Sequence, residues 1–282
     1  MIDYLLEVEN ICKKYSGFSL ENISFSLAQK RIMGLIGKNG AGKSTTIQLI
    51  LGMIRGESGT VRIYGRDNRE GICGIKEDLG VVLDEAGFPE CLNAMQIGRV
   101  LQNSYRNWDE AQFEGYLSRL ALPARKPFRS FSRGMKMKLA IAAALSHHPK
   151  LLILDEPTSG LDPVVRSEVV ELFGEFTRDE SHAVLISSHI VSDLERLCDY
   201  IAFLHRGRLM LCEEKDALLE RYGVIHATAA FVAGLEPSAV LGKRESVYGV
   251  EALVRRSRIP HGTPVSPVSI EDLFVWMTKG DM

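Results

Sequence analysis

The sequence predicts an α/β fold built around a mainly parallel β-sheet, and two observations carry this prediction. A short apolar run at residues 31–36 stops at a glycine-rich loop, and an apolar helix-forming segment follows at residues 44–53. In the second half of the chain, short apolar runs alternate with helix-forming segments, which is typical of a parallel sheet. The runs lie at residues 151–154, 183–187 and 200–204, and the helix-forming segments at 164–179 and 191–197.

The flanking segments fit the same fold. Residues 5–12 and 18–27 alternate partly between apolar and polar side chains, and residues 60–64 add a further strand, so we expect an antiparallel β subdomain. From about residue 88 to residue 145 helix formers dominate, which predicts an inserted helical subdomain with Asp109 as a helix cap. The expected helices lie at residues 95–105, 109–122 and 135–145.

The C-terminal part has a weaker pattern. Residues 205–208 give a hairpin signal, and after about residue 222 only short strand-like runs and a final helix at residues 270–278 are expected. We therefore divide the chain into a large domain at residues 1–220 and a small accessory domain at residues 221–282.

Composition restricts the class of protein. The 282 residues are 45% hydrophobic and 25% charged, and the net charge of −2 does not favour nucleic acid as a partner. The longest apolar runs fall far short of the roughly 20 residues that span a bilayer, so any membrane role requires a separate partner. Five cysteines without a CxxC pair predict free thiols in a reducing cytoplasm rather than zinc or disulfides.

The glycine-rich loop has the pattern of a phosphate-binding loop, GKNGAGKS, placed between a strand and a helix. Glycines let backbone N–H groups surround phosphate oxygens, and the following helix adds its positive end. Lys43 supplies a charge for the β- and γ-phosphates, while the Ser44 hydroxyl is a ligand for Mg²⁺. The residues expected to contact the nucleotide are Gly37, Asn39, Gly40, Ala41, Gly42, Lys43, Ser44 and Thr45.

A second motif places two carboxylates, Asp155 and Glu156, at the end of the apolar run at residues 151–154. Parallel sheets bind ligands at this end of their strands. We expect Asp155 to hold Mg²⁺ directly or through water. Glu156 is expected to orient an attacking water molecule and to take its proton.

With these motifs in order, the sequence resembles the ATP-binding subunit of ABC transporters over residues 5–219. The resemblance implies a P-loop ATPase with ATP and Mg²⁺ as cofactors. It implies that Tyr15 stacks on adenine, that His189 touches the γ-phosphate and that Asp162 lies in a loop at the dimer contact. Residues 131–135 (FSRGM) match the family's signature sequence, where Ser132 and Gly134 would bind the nucleotide of a second subunit.

Two departures from the family pattern stand out. Asp84 replaces the usual glutamine of the Q-loop, so we expect a charged carboxylate near Mg²⁺. Arg133 replaces a signature glycine and Met135 the signature glutamine. Two interpretations of Arg133 remain open, a cation close to the γ-phosphate or a solvated side chain. Similar substitutions occur in the exporter branch of the family.

Three alternatives were weighed. A GTPase requires a guanine-reading Asn-Lys-x-Asp motif, which the sequence lacks. A soluble ABC ATPase for cofactor assembly or regulation is harder to exclude. A non-catalytic ATP-binding regulator is disfavoured by Lys43, Asp155, Glu156 and His189. The sequence therefore predicts an ATPase that powers transport, with export favoured, through a separate multi-span permease at the inner face of the membrane. It is expected to work with a second ATPase subunit, and the permease would dock near residues 84–95.

Overall fold

The computed structural model describes residues 4–69, 72–84, 87–246 and 249–279. The strands are β1 Tyr4–Tyr15, β2 Phe18–Ala28, β3 Ile32–Ile36, β4 Ser58–Ile63, β5 Arg66–Asp67, β6 Leu79–Val82, β7 Leu151–Asp155, β8 Ala183–Ser188, β9 Tyr200–His205, β10 Arg208–Glu214, β11 Tyr222–Ala227, β12 Val240–Ser246 and β13 Gly249–Arg255. The α-helices are α1 Lys43–Ile50, α2 Ile72–Lys76, α3 Ala94–Gln102, α4 Glu110–Arg119, α5 Arg133–Leu145, α6 Pro163–Phe176, α7 Val191–Leu197, α8 Lys215–Arg221, α9 Ala229–Ala233 and α10 Ile270–Lys279.

The main sheet confirms the predicted fold class. Ten strands pair in the order β5-β4-β1-β2-β10-β9-β3-β8-β7-β6. The run β9-β3-β8-β7-β6 is parallel throughout, while β1, β2, β4 and β5 pair antiparallel and form the expected β subdomain. Every residue of β3, β7 and β8 is buried. Continuous apolar strands of this kind are typical of a parallel sheet covered on both faces.

The helical insertion consists of α3, α4 and α5. Asp109 caps α4 as predicted, because its side chain accepts a hydrogen bond from the backbone N–H of Gln112 at 2.9 Å. Helix α5 begins at Arg133, two residues before its predicted start, because Ser132 caps it through the backbone N–H of Met135 at 3.2 Å. The signature segment is therefore the first turn of a helix whose C-terminal two-thirds is buried.

Strand β6 was not predicted. Its four residues pair with β7 in parallel, with Val82 opposite Leu154. Gly80 leaves room for the side chain of Leu152 on the neighbouring strand, because a Cβ at residue 80 would lie 2.4 Å from Cδ2 of Leu152. The strand matters for the site because its carboxyl end leads directly to Asp84.

The C-terminal part contains a three-stranded antiparallel sheet, β11-β13-β12, and helix α10. Phe274 of α10 meets Phe203 of the main sheet edge-on, with ring centroids 5.1 Å apart. Arg244 of β12 lies 4.2 Å from the ring centre of Trp276. The hydrophobic core of the large domain thus continues into α10, and the boundary at residue 220 stays a prediction.

The composition led to two expectations, that the chain has no membrane-spanning segment and that its cysteines are free thiols. Within the described residues, no helix has the length and apolar character needed to cross a membrane. Cys12, Cys91, Cys198 and Cys212 are free thiols, and the side chain of Cys73 lies outside the described part.

Candidate nucleotide-binding site

Four adjacent strands bring the candidate residues together. β3, β8, β7 and β6 are neighbours in that order and run parallel, so their carboxyl ends share one edge of the sheet. β3 leads into the phosphate-binding loop, β8 into His189, β7 into Glu156 and β6 into Asp84. Ligands bind at this edge in open α/β sheets, so the fold collects residues that are distant in sequence.

The phosphate-binding loop needs glycine at two positions. Gly42 has a φ of +110°, and a Cβ there would lie 2.8 Å from Cδ1 of Leu20 and 2.9 Å from Cζ of Phe18. Gly40 has a φ of +78° and faces open space, since a Cβ there would meet no atom within 4 Å. The residue before α1 is Gly42, which has no side chain to cap the helix, so the first backbone N–H groups of α1 are left for an anion.

Lys43, Glu156 and His189 form a connected group. The Lys43 ammonium, in a side chain only 6% exposed, donates to the backbone carbonyl of Gly37 at 2.7 Å and lies 3.0 Å from Oε1 of Glu156. The other carboxylate oxygen, Oε2, accepts from Nδ1 of His189 at 2.7 Å and from its backbone N–H at 3.3 Å. Oε1 accepts no hydrogen bond from the described residues, so its contact with Lys43 is an ion pair. In this chain the glutamate therefore neutralises the lysine that would otherwise meet phosphate.

The backbone at Glu156 is unusual. Its φ of +51° places a non-glycine residue in the left-handed region, which costs energy and occurs often at functional sites. The hydroxyl of Ser187 accepts a hydrogen bond from the backbone N–H of Glu156 at 3.1 Å and donates one to Oδ1 of Asp155 at 2.5 Å. Ser187, on the neighbouring strand, thus holds both acidic residues in place.

A cavity of about 730 Å³ opens beside these groups. Its lining is mainly polar and carries both charges, which suits a charged ligand such as a polyphosphate. The lining residues are Gly17, Phe18, Asn39, Gly40, Gly42, Lys43, Ser44, Thr45, Asp84, Arg133, Glu156, Ser159 and His189.

Several candidate residues lie away from this cavity. Tyr15 ends β1 with its side chain 48% exposed, and the ammonium of Lys13 lies 5.4 Å from its ring centre. Ser132 caps α5, and Asp162 caps α6 by accepting from the backbone N–H groups of Val164 and Val165, both at 3.1 Å. Gly134 does not line the cavity, and a Cβ there would be in ordinary contact with the side chains of Leu161 and Val165. Gly37 and Ala41 lie within the loop but do not line the cavity, and neither does Asp155.

Three cavity residues, Gly17, Phe18 and Ser159, were not among the predicted nucleotide contacts, although Ser159 begins the segment that resembles the dimer-contacting loop of Asp162. Gly17 and Phe18 lie two and three residues after Tyr15, where the chain turns from β1 into β2, so Phe18 is a second aromatic candidate for stacking on adenine. Ser159 follows Glu156 closely, and its backbone N–H donates to the carbonyl of Glu156 at 3.1 Å. Proximity to a motif was the only available signal for all three.

The donor set suits a magnesium ion bound together with nucleotide phosphates. Ser44 and Asp84 line the same cavity, and the buried carboxylate of Asp155 ends β7, the strand between β8, which leads to His189, and β6, which leads to Asp84. Within the described ranges, no cluster of three or more His, Cys, Asp or Glu side chains is arranged to hold a metal alone. Magnesium in phosphate-transfer sites typically uses one or two carboxylates plus phosphate oxygens, which agrees with this sparse set.

Comparison with known proteins identifies the family. The family model described as "ABC transporter" matches residues 20–159. The bacitracin transport ATP-binding protein BcrA of Enterococcus faecalis is 34% identical over 213 residues, which cover 74% of this chain and 69% of that protein. The chain belongs to the ABC transporter ATP-binding family.

Two further similarities cover about the same share of the chain. The lantibiotic transport ATP-binding protein SrtF of Streptococcus pyogenes is 34% identical over 75% of this chain and 92% of its own length. A solved structure of the ATP-binding subunit of an ABC transporter superimposes with a TM-score of 0.70 at 31% identity, covering 76% of this chain and 91% of that one. As a member of this family, the chain is an ATP-binding ATPase, and its cavity is the candidate site for that nucleotide.

Proposed function

We propose that this ABC-family ATPase hydrolyses Mg²⁺-ATP in the cavity at the sheet edge and thereby powers a separate membrane permease in export. The connected group of Lys43, Glu156 and His189 carries the proposal. A buried lysine at a phosphate-binding loop and a carboxylate held by a histidine are the parts that phosphate transfer to water requires.

The geometry suggests how the residues change partners. A polyphosphate at the loop would neutralise Lys43, and Oε1 of Glu156 would lose its ionic partner. That oxygen is then available to orient a water molecule and to take its proton, while His189 still holds Oε2. Magnesium, bound by Ser44, Asp155 and Asp84 with the phosphates, would supply charge neutralisation for the departing phosphate.

A second copy or a related ATPase subunit would complete the site. Ser132, Gly134 and Asp162 lie away from the cavity of their own chain, and Ser132 and Asp162 are exposed. The first turn of α5 presents backbone N–H groups to the surface, where a phosphate of the partner's nucleotide can bind. ATP would bridge two chains, and hydrolysis would let them separate.

An apolar groove next to Asp84 supports a permease partner. It is a cavity of about 220 Å³ between β6, α3 and α5, close to the predicted docking segment at residues 84–95. Residues 85 and 86 of that segment lie outside the described part. Its lining residues are Val81, Val82, Leu83, Gly87, Phe88, Leu101, Tyr105, Ala140, Ala143, Ala144 and His147. A short amphipathic helix of a permease would fit such a groove, which would place the chain in the cytoplasm at the inner face of the membrane.

Export is favoured by the Arg133 and Met135 departures and by the relatives named for bacitracin and lantibiotic transport.

Affinity capture from solubilised membranes tests the proposal. We expect the tagged chain to bring down a multi-span membrane protein and to hydrolyse ATP faster in that complex. Phe88→Asp should prevent capture of the membrane protein but leave ATP hydrolysis by the isolated chain unchanged. Phe231→Asp is the matched control at an exposed aromatic residue of the C-terminal part, and this variant should still capture the membrane protein. A chain that stays in the soluble fraction, with full ATPase activity and a soluble enzyme as its captured partner, would favour the cofactor-assembly alternative.

A further inference from the structure

The two departures from the family pattern pair with each other. Nη2 of Arg133 donates a hydrogen bond to Oδ1 of Asp84 at 2.7 Å, across 49 positions of sequence. Both side chains line the nucleotide cavity of their own chain. Within the described residues, neither has a second ion-pair partner. The pair joins the end of β6 to the first turn of α5, and so connects the α/β part to the helical part.

The position of Arg133 favours an anionic partner. A cation in the first turn of a helix is opposed by the positive end of the helix dipole, and the first turn of α5 contains no acidic residue. The guanidinium also lies against the backbone of Gly160, since a Cβ there would come within 3.1 Å of Nη1. The Asp84 carboxylate therefore offsets an unfavourable charge and holds the arginine in one orientation.

The pair is also easy to exchange. The two side chains are 55% and 49% exposed, and exposed ion pairs are weak. Any competing cation that reaches Asp84 can displace the arginine. Ser44, a candidate magnesium ligand, lines the same cavity as Asp84.

We propose that Asp84 is a positioning residue with two alternative partners, Arg133 in the nucleotide-free chain and the magnesium of bound nucleotide in the loaded chain. Loading then releases Arg133 from its own cavity and removes this one link between the start of α5 and the segment after β6. The freed guanidinium becomes available to an anion, such as the phosphate of a nucleotide on a second chain. This inference rests on the proposed function, because it assumes that Mg²⁺-ATP occupies the cavity.

Nucleotide binding measured against free Mg²⁺ tests the exchange without requiring turnover. Arg133→Gln removes the cation that competes with Mg²⁺ for Asp84. We therefore expect the Mg²⁺ concentration that gives half of the maximal increase in ATP affinity to be about two- to fivefold lower in this variant. Asp84→Asn should raise that concentration. In the Asp84→Asn background, adding Arg133→Gln should change nothing, because the bond it breaks is already absent. Calorimetric titration of ATP at a series of Mg²⁺ concentrations gives all four values of this double-mutant cycle.

Controls separate the exchange from simpler effects. Arg133→Lys keeps the charge and should stay near the wild type. Arg119→Gln breaks the exposed Arg119–Glu175 pair elsewhere and should leave the Mg²⁺ requirement unmoved. An equal shift from Arg133→Gln in both Asp84 backgrounds would overturn the proposal, because it would indicate only the long-range field of a cation. If Arg133→Gln loses ATP binding in the absence of Mg²⁺, the proposal is also overturned, because the arginine would then bind the nucleotide of its own chain. If the wild-type chain binds no ATP at all, the proposed function is refuted instead.

Discussion

The phosphate-binding edge of the sheet and the start of α5 differ in how their polar groups are used. At the sheet edge, Lys43 and Glu156 are buried and engage each other and His189. At the start of α5, Ser132 and Arg133 are exposed, and the Ser132 hydroxyl caps its own helix. The first region is organised within one chain. In the second, Ser132 is exposed and lies away from the cavity of its own chain, whereas Arg133 lines that cavity beside Asp84, and we propose that this exposed turn meets a nucleotide held by a second chain.

Breaking the buried region should have the largest effect. Lys43→Ala removes the buried ammonium and leaves the Glu156 carboxylate in contact with the ring of His189. We expect ATP affinity to fall strongly and hydrolysis to drop by about 10³-fold or more. Lys43→Arg keeps the charge but not the compact shape, so it should recover only part of the activity. Equilibrium ATP binding and phosphate release check this, and near-normal turnover in Lys43→Ala would remove the loop from the site.

The exposed region can be divided by two substitutions at Ser132. Ser132→Ala removes the helix cap and should lower the free energy of unfolding by about 1 kcal/mol. Ser132→Asp keeps a capping oxygen but adds a negative charge, so stability should stay near that of the wild type while ATP hydrolysis falls at least about tenfold through repulsion of phosphate. Urea unfolding and ATPase assays on both variants separate the roles. Wild-type hydrolysis in Ser132→Asp would show that the first turn of α5 meets no phosphate.

A smaller effect is expected at the adenine end. Tyr15→Ala should weaken ATP binding by about two- to tenfold, as an aromatic stacking contact of 0.5–1.5 kcal/mol predicts, and Tyr15→Trp should be tolerated. Phe18 lines the cavity and Tyr15 does not, so Phe18→Leu is the matched comparison. Titration with ATP decides between them: unchanged affinity in Tyr15→Ala with weakened affinity in Phe18→Leu would transfer the stacking role to Phe18.

The smallest effect concerns pH and lies outside both regions. Burial lowers the pKa of His147 below its ordinary value of 6.5, and its ring stacks on that of Tyr105 at 4.0 Å. The unfolded chain therefore takes up a proton as pH falls through 6.5, before the folded chain does, and stability decreases in that range until the folded pKa is passed. His147→Gln should reduce the slope of the free energy of unfolding against pH by at most about 1.4 kcal/mol per pH unit. The control His261→Gln, at an exposed histidine, should leave that slope unchanged. Unfolding midpoints between pH 5 and 7.5 measure the slopes, and equal slopes in all three proteins would contradict the assignment.

Local patterns predicted the phosphate-binding loop and the acidic pair, whose roles in nucleotide binding stay predictions. The phosphate-binding loop and the acidic pair are continuous segments flanked by strong elements, so their sequence is enough to place them at strand ends. His189 was predicted from the family resemblance, supported by its place after an apolar strand, and the parallel sheet brings it 2.7 Å from Glu156.

Contacts between distant segments could not be predicted. β6 is only four residues long, and its Gly80 is explained by the side chain of Leu152 on the neighbouring strand. Asp84 and Arg133 appeared as two unrelated departures, and only the fold places them 2.7 Å apart. Of the two interpretations of Arg133, neither anticipated an anionic partner on its own chain.

The most direct test of the central claim is Glu156→Gln. The amide keeps the shape of the side chain but cannot accept the proton of water, and the loss of a general base typically costs about 10²–10⁴-fold in rate. ATP binding should survive, because Lys43 and Ser44 are untouched. We expect the variant to bind Mg²⁺-ATP, to hydrolyse it at that reduced rate and to accumulate as an ATP-bound dimer by light scattering. Hydrolysis by Glu156→Gln at the wild-type rate would contradict the account.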